Sequence, residues 1–378
     1  MRRWMVGIVC LVGLLSLAQA HASPQDGRVP EELSVGHVAL GELSLQLELG
    51  RFTVGGINAL LAEAHRRYPD PGARLYFLAE HFVGTPFLFE SRLPLPEPGT
   101  LRVRLESFGC TGFVLTMLAL THARSFEELA WNLRLIRYWG KATIDSDPEH
   151  GTILDFAYDI FVDSAAGQHG MVRDVTAEVA EPWALDWFSS RVTRRQRTAE
   201  YDPERRWINP RLHAGEAVSA QLITRAGLQK MDRSAIHSGD ILLFSRVDPS
   251  KPLGEEPLIG HCALAFNLDG EIFLLHATRD YYWRPDASAE TPPSGTGVLV
   301  AGDPRREQIG VGWATAPTDD TEGKKLKVGT IPHYGYQPRR LRALKDYIKA
   351  TRIRGIMVLR PLDSPGASTA VPAAGAPN

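Results

Sequence analysis

Cysteine is scarce in this chain, with three residues among 378, namely Cys10, Cys110 and Cys262. A scaffold held together by many disulfide bonds is therefore excluded, and the fold has to depend on a hydrophobic core. Hydrophobic residues make up 44% of the sequence and aromatic residues 8%, which is an ordinary globular composition. We expect most of the chain to fold around such a core.

An excess of charge of either sign is also absent. Lys and Arg total 42, Asp and Glu total 44, and the net charge is −2 at pH 7. Proteins that bind DNA or RNA usually neutralise the backbone phosphates with a basic excess. The charge balance therefore disfavours a nucleic-acid partner.

A hydrophobic run long enough to cross a membrane, about 20 residues, is missing as well. The apolar run from Trp4 to Leu17 is shorter, follows two arginines and precedes two small-x-small sites. This pattern predicts a cleaved signal peptide over residues 1–22. The mature chain is expected to be periplasmic or secreted, without a membrane span. An exported chain that keeps Cys110 and Cys262 has either one disulfide or a thiol used for chemistry.

Apolar residues three to four apart predict that the N-terminal half is mainly helical. One helix is expected from Gly55 until Pro69 breaks the pattern, and a second over Ala73–Phe82. The apolar block Thr111–Ala123 is too long for a typical strand and predicts a buried helix. Ser125 is expected to cap a further helix, because two glutamates and then an apolar pattern follow it.

Short apolar runs bounded by Gly and Asp predict buried strands in the second half. A last amphipathic helix is expected before the final strand. The strands are expected at Asp240–Ser245, Cys262–Phe266, Ile272–His276 and Gly355–Leu359, and the helix at Pro338–Ala350. Helices followed by strands predict an α+β fold.

The chain is expected to contain one folded domain after the signal peptide. The predicted parts are an N-terminal extension over 23–50, the domain over 51–362 with insertions near 178–237 and 284–337, and a tail over 363–378. Twelve of the sixteen tail residues are Ala, Pro, Gly or Ser. Such a segment cannot bury a core, so the tail is predicted to be disordered.

Cys110 stands at the start of the predicted buried helix, directly after Gly109. A helix N-terminus offers unpaired amide groups and a partial positive charge, which lower the pKa of a thiol and stabilise its thiolate. The same amides can hold an oxyanion. Cys110 is therefore a candidate nucleophile, and the alternative is a small buried hydrophobic residue.

Two histidines lie on the predicted strands on either side of an Asp-Gly turn, a typical hairpin sequence. A four-residue loop over Asn267–Gly270 would place His261 directly opposite His276. A two-residue loop would place His276 opposite Ala263, so that the histidines become diagonal neighbours on one face. In both registers one imidazole can orient the other as a general base. The sequence therefore predicts a triad of Cys110, His261 and His276.

Cys262 follows His261 and points to the opposite face by strand alternation, so it is predicted to be a packing residue. A zinc site is the rival chemistry, because Cys and His are zinc ligands. Neither H-E-x-x-H nor C-x-x-C occurs in the chain, and no metal or organic cofactor is expected. Asp240 is predicted to tie down the start of its strand rather than to take part in catalysis.

Five short motifs follow one another along the chain. They are F-V-G-T-P-F from Phe82, G-C-T-G-F-V from Gly109, S-G-D-I-L-L-F from Ser238, G-H-C-A-L-A-F from Gly260 and L-L-H-A-T from Leu274. With the ending Gly355–Arg360, this order resembles the N-acetylmuramoyl-L-alanine amidase-like branch of the NlpC-type cell-wall cysteine peptidases. The resemblance covers roughly residues 82–361, with gaps at the two insertions.

The resemblance implies a papain-like α+β fold in which N-terminal helices pack on an antiparallel sheet. It implies that Cys110 is the nucleophile, His261 the general base and His276 the orienting residue. It also implies hydrolysis of an amide bond of peptidoglycan, in the stem peptide or at the N-acetylmuramoyl-L-alanine linkage. Family members usually carry Asp before the cysteine and Tyr after Thr-Pro, where this chain has Gly109 and Phe87.

Four aromatic residues are candidates for contact with peptidoglycan or its fragments. They are Phe87, Tyr281, Tyr282 and Trp283, and the last three follow His276 closely enough to form a stacking surface beside it. Two other functions stay open. The chain could be a catalytically inactive wall-binding module of the same fold, which Gly109 and Phe87 would permit, or a papain-like acyltransferase, which an apolar cleft would favour.

Overall fold

The structure is a computed structural model that describes residues 29–41, 43–88, 100–137, 171–190, 218–247, 259–268, 270–278, 310–313, 344, 347–348 and 352–363. The predicted signal peptide, the predicted tail after residue 363 and most of the predicted insertion 284–337 lie outside the described residues. In the described part of the chain, no helix is long and apolar enough to span a membrane.

The described residues form helices and strands in both halves of the chain. The helices are α1 Val54–Arg67, α2 Pro71–Glu80, α3 Cys110–Thr121, α4 Phe126–Arg137, α5 Thr176–Val179 and α6 Arg225–Lys230. The strands are β1 Val35–Leu40, β2 Leu43–Glu48, β3 Thr100–Arg104, β4 Val172–Asp174, β5 Leu185–Ser190, β6 Val218–Thr224, β7 Ile241–Arg246, β8 His261–Leu268, β9 Glu271–Thr278, β10 Gly310–Trp313 and β11 Ile353–Pro361. The chain is therefore a mixed α+β protein.

Helices α1 and α2 begin where the sequence provides N-caps. Thr53 Oγ1 accepts a hydrogen bond from the Gly56 amide at 3.1 Å, and Asp70 Oδ2 accepts one from the Ala73 amide at 2.7 Å. Each contact satisfies an amide group that the start of a helix leaves unpaired. Both predicted helices are confirmed, and α2 begins before Ala73 because Pro71 suits its first turn.

A three-stranded sheet also lies in the N-terminal half. Strands β1 and β2 pair antiparallel, and β2 pairs with β3 in parallel. In β2, Leu43, Leu45 and Leu47 are buried and alternate with polar residues, which is the period of a half-buried strand. The expectation of a mainly helical N-terminal half is wrong for these strands. β1 and β2 form a local hairpin, whereas β2 pairs with β3 across a long stretch of sequence, which no local pattern reports.

Helix α3 is buried around nearly its whole circumference. Every residue from Gly112 to Thr121 is buried, as predicted for a helix without a polar face. Arg74 Nε donates to the Thr121 carbonyl at 2.8 Å and satisfies a group at the end of the helix. The helix packs on β8 and β9, so its first residue, Cys110, is held close to these strands.

The larger sheet has the strand order β10-β9-β8-β7-β11-β6-β5, and β4 also pairs with β11. The four strands predicted in the second half are confirmed as β7, β8, β9 and β11, with bounds that differ by one or two residues. Residues of these strands belong to two separate hydrophobic clusters. One cluster includes the residues of α3 and the other includes Leu344, Tyr347 and Ile348, which are helical as predicted.

Asp240 ties down the start of β7, as predicted, and also joins it to β11. Its carboxylate is 1% exposed and accepts hydrogen bonds from Arg360 Nε at 2.8 Å and Nη2 at 2.7 Å. The His237 amide donates to the same carboxylate at 2.8 Å. Paired donors from a guanidinium fix both the distance and the angle between two elements.

Glu80, in the last turn of α2, carries a buried carboxyl group. It is 4% exposed and accepts a hydrogen bond from Tyr76 Oη at 2.5 Å. Burial raises the pKa of Glu80 to about 7, from an ordinary value of 4.5. Because the folded-state pKa is the higher one, Glu80 favours folding at low pH, and this contribution is lost as the pH rises through about 7.

We predict that Glu80→Gln makes the free energy of unfolding less dependent on pH. Between pH 4 and pH 8 the variant should gain up to about 3 kcal/mol of stability relative to the parent, because an amide has no charge to bury. Urea unfolding at both pH values measures this gain, and Glu32→Gln at an exposed site is the control. A stability difference that is the same at both pH values would contradict the prediction.

Candidate active site

Cys110 is the first residue of α3, where the chain turns from β3 into the helix. The segment before Cys110 is held in place by two backbone hydrogen bonds. The Phe108 amide donates to the Pro86 carbonyl, and the Phe108 carbonyl accepts from the Leu88 amide, each at 3.0 Å. Gly109 is the N-cap and contributes no side-chain cap. No side chain at this position therefore competes for the first amide groups of the helix, which lie at the positive end of its dipole.

The hairpin that carries both histidines has the two-residue loop. Leu268 pairs with Glu271, so two residues separate the strands and His276 lies opposite Ala263. His261 is then the diagonal neighbour of His276 on the same face. The structure thus selects one of the two registers that the sequence left open.

The two imidazoles are hydrogen-bonded to each other. His261 Nε2 lies 2.7 Å from His276 Nδ1, and both side chains are buried. Burial lowers the pKa of His276 well below its usual range, and the positive charges of His261 and Arg246 lower it further. His276 is therefore neutral near pH 7 and carries one protonated and one unprotonated ring nitrogen. In the tautomer protonated on Nε2, its Nδ1 accepts the proton of His261 Nε2. Nδ1 of His261 is left for another partner.

Cys110 is within reach of His261. Its half-buried thiol lies 3.9 Å from Thr111 Oγ1. Interaction with the Cys262 side chain acts most strongly to hold the pKa of Cys110 well below its ordinary range; interaction with His261 and the positive charge of that ring act in the same direction, and burial opposes them. The thiolate, which is the nucleophilic form, is therefore favoured.

Three residues that sequence reasoning did not assign to the site surround the histidines. The Phe244 ring centroid lies 5.8 Å from that of His261, and the Tyr347 centroid lies 5.9 Å from that of His276. Arg246 Nη2 donates to Tyr347 Oη at 3.2 Å. The strand pattern could have indicated Phe244, because β7 and β8 pair it with His261. No local pattern links Tyr347 to the histidines.

Cys262 is fully buried and packs in the cluster that includes α3, as predicted. Burial raises the pKa of Cys262 well above its ordinary range, and interaction with Cys110 and the charge there raise it further. Both cysteines are free thiols. The predicted packing role is therefore incomplete. Strand alternation shows which face of the sheet Cys262 occupies, but it does not show that the first residue of α3 lies on that face.

Among the four predicted substrate contacts, Phe87 is described, and Tyr281, Tyr282 and Trp283 lie outside the described residues. Phe87 is half-buried against the core, and its backbone pairs with that of Phe108. This pairing places it beside the segment that leads into Cys110. Within the described ranges, no group of three His, Cys, Asp or Glu side chains is arranged to hold a metal ion.

Comparison with known proteins shows a likeness in fold. No family model matches the sequence, and no curated protein matches it. A solved Legionella pneumophila protein, described by the family model DUF1460, is 15% identical, and the likeness covers 82% of this chain and 94% of that chain with a TM-score of 0.51. At that identity the likeness shows a similar fold and nothing about activity.

A second solved structure matches with a lower TM-score. It is an N-acetylmuramoyl-L-alanine amidase from Bacteroides uniformis, 18% identical, with 81% of this chain and 98% of that chain covered and a TM-score of 0.45. A likeness at this TM-score carries no argument about either fold or function.

We predict that His261→Gln raises the pKa of the Cys110 thiol, because the interaction with the ring and its positive charge is lost. The rate of alkylation by iodoacetamide, measured against pH with mass-spectrometric mapping of the modified cysteine, reports the thiolate fraction. In the parent, Cys110 should react well below pH 8 and the buried Cys262 should stay unmodified.

The matched control is His37→Gln, at an exposed histidine of β1, which should leave the midpoint of the alkylation profile where it is in the parent. Equal midpoints for parent and His261→Gln would mean that His261 does not stabilise the thiolate.

Proposed function

We propose that the protein is an exported cysteine hydrolase that cleaves an amide bond of peptidoglycan, with a papain-like fold of NlpC type over residues 51–362. The observations that carry the proposal are the hydrogen bond between His261 and His276 and the position of Cys110 at a helix start, where interaction with His261 helps to lower the pKa of the thiol. A nucleophile, a base and an orienting group in this order are the parts of a triad hydrolase.

The first step is attack by Cys110 Sγ on the carbonyl carbon of the amide. As the C–S bond forms, the carbonyl oxygen becomes an oxyanion, which amide groups at the start of α3 can stabilise. Protonated His261 gives its proton to the leaving nitrogen, the C–N bond breaks and the amine departs. The acyl group is then held on Cys110 as a thioester.

Water hydrolyses this thioester in the second step. Neutral His261 takes a proton from the attacking water, the new C–O bond forms, and the C–S bond breaks to restore the thiolate. His276 stays neutral in both steps and holds the His261 ring through the bond of 2.7 Å. The positive charge is therefore confined to the imidazole beside the sulfur.

The substrate class rests on the motif order and on the predicted signal peptide. The motifs around Cys110, His261 and His276 resemble those of cell-wall peptidases, and an exported hydrolase meets peptidoglycan outside the cytoplasm. Amide bonds join stem-peptide residues to one another and L-alanine to N-acetylmuramic acid. The proposed attack suits both kinds of bond.

The proposal predicts that the mature chain releases soluble fragments from purified peptidoglycan and that Cys110→Ala releases none, because the thiolate forms the intermediate. When the digestion is run in H₂¹⁸O, mass spectrometry should find one ¹⁸O in each new carboxylate. The fragment masses then identify the bond that is cut.

Three results would overturn the proposal in different ways. Release of fragments by Cys110→Ala would exclude the cysteine mechanism. Acyl products without ¹⁸O would indicate transfer rather than hydrolysis. Failure of both proteins to release fragments, while both sediment with the polymer, would replace the hydrolase with a wall-binding module.

A further inference from the structure

Four aromatic rings form a closed set around the hydrogen bond between the two histidines. The centroid distances are 5.8 Å from Phe244 to His261, 5.0 Å from His261 to His276, 5.9 Å from His276 to Tyr347 and 5.5 Å from Tyr347 back to Phe244. Aromatic rings in contact have centroids at such distances, and all four side chains are buried. In this four-ring cluster, a triad requires only the two histidines.

Strands β7, β8 and β9 supply three rings of the four-ring cluster, and a helical segment late in the chain supplies Tyr347. Tyr347 Oη accepts a hydrogen bond from Arg246 Nη2 at 3.2 Å. Arg246 lies two residues after Phe244 on β7, so the two side chains share one face of the strand. The arginine stem also lies close to Gly260, where an added Cβ atom would be 3.3 Å from Arg246 Cβ. Side chains of β7 therefore hold both the ring and the hydroxyl group of Tyr347.

The His276 ring serves the triad in one orientation. Nδ1 has to face His261 Nε2 at 2.7 Å, and a half-turn of the ring would put a carbon atom in its place. The terminal torsion of histidine is broad and has two nearly equivalent settings, so the side chain itself does not select one of them. The hydrogen bond favours one setting, and a ring packed against His276 restricts movement away from it. Tyr347, with an interplanar angle of 78° to His276, is packed in this way.

We propose that Tyr347 is a positioning residue, whose ring, anchored by Arg246, holds the His276 imidazole with Nδ1 toward His261. The inference rests on the proposed function, because it adds a residue that supports the proposed triad. Tyr347 acts on the reaction through His276 and His261 rather than by touching the substrate. Removal of its ring should therefore lower kcat and leave KM near the parent's value, because the base is misplaced while the substrate contacts stay as they are.

The test compares three variants of the full mature chain with the parent. Tyr347→Leu removes the ring, and Tyr347→Phe keeps the ring without its hydroxyl group. Ile348→Ala is the packing control, because Ile348 is the next residue, is fully buried and belongs to the same hydrophobic cluster. Thermal unfolding followed by circular dichroism identifies a temperature at which every protein is folded.

The first readout is the hydrolysis of soluble peptidoglycan fragments. Tyr347→Leu should lower kcat by about tenfold or more, since a well-placed general acid–base contributes about 10²–10⁴ to the rate. KM should change by less than about twofold, because the lost interaction acts in the transition state. Tyr347→Phe and Ile348→Ala should both keep kcat within about threefold of the parent, because the ring beside His276 is retained.

The second readout is nitrogen-15 NMR of the imidazoles at pH 7, which requires no substrate. The parent, Tyr347→Phe and Ile348→Ala should each show His276 as a single tautomer with a protonated Nε2. In Tyr347→Leu the ring can turn, which removes the constraint on its tautomer, so both tautomers should be present. The Nε2 proton of His261 should then exchange with water about tenfold faster, which is the effect of losing one buried hydrogen bond.

The results separate this inference from the proposed function. A loss of kcat and a mixture of tautomers that are confined to Tyr347→Leu support the inference. It is overturned if Tyr347→Leu keeps either the parent's kcat or its single tautomer, if Tyr347→Phe loses as much activity, or if Ile348→Ala reproduces both changes. If the parent does not hydrolyse the fragments, the proposed function fails, and the NMR comparison alone then decides whether Tyr347 holds His276.

Discussion

The hydrogen bond between His261 Nε2 and His276 Nδ1 is the contact on which the site depends. It exists because a turn of two residues sets β8 and β9 in a register that puts both rings on one face. Gly270 permits this turn with a φ of +80°, and its amide donates to Asn267 Oδ1 at 2.9 Å. A slip of one residue would send one histidine to the other face and leave a buried imidazole without its partner.

The position of the nucleophile depends on burial far from the nucleophile itself. Helix α3 is apolar on all sides, so it cannot rotate or slide without exposing large side chains to water, at a cost of about 1.5–3 kcal/mol for each. Phe113 packs edge-on against Phe108 with ring centroids 5.7 Å apart, which joins the helix to the segment before it. Cys110 is therefore fixed relative to β8 by the core rather than by a side-chain cap.

Local patterns were enough to predict the elements that carry the site. The apolar block predicted α3, and the alternating runs on either side of Asp-Gly predicted the hairpin with its two histidines. The choice between loops of two and four residues could not be made, because both lengths are compatible with the Asp-Gly turn and with histidines on one face. That choice depends on how β8 pairs with β7 as well as with β9.

Contacts between distant segments account for what the sequence did not reveal. The parallel pairing of β2 with β3 joins segments separated by two helices, and no local period reports it. Tyr347 reaches His276 from a helix late in the chain. Cys262 was predicted to pack, and its interaction with Cys110 follows only once α3 is placed on β8. Residue type and spacing identified the reactive groups, and tertiary packing determined their partners.

The protonation state of His276 tests the account most directly, because a neutral ring there directs the second nitrogen of His261 toward Cys110. Nitrogen-15 NMR of the imidazoles, assigned with His276→Ala, measures this state as a function of pH. The account predicts that His276 is still neutral at pH 6.5 and below it, with Nδ1 unprotonated, because burial lowers its pKa well below that ordinary value. A His276 ring that gains a proton near pH 6.5 would contradict the account.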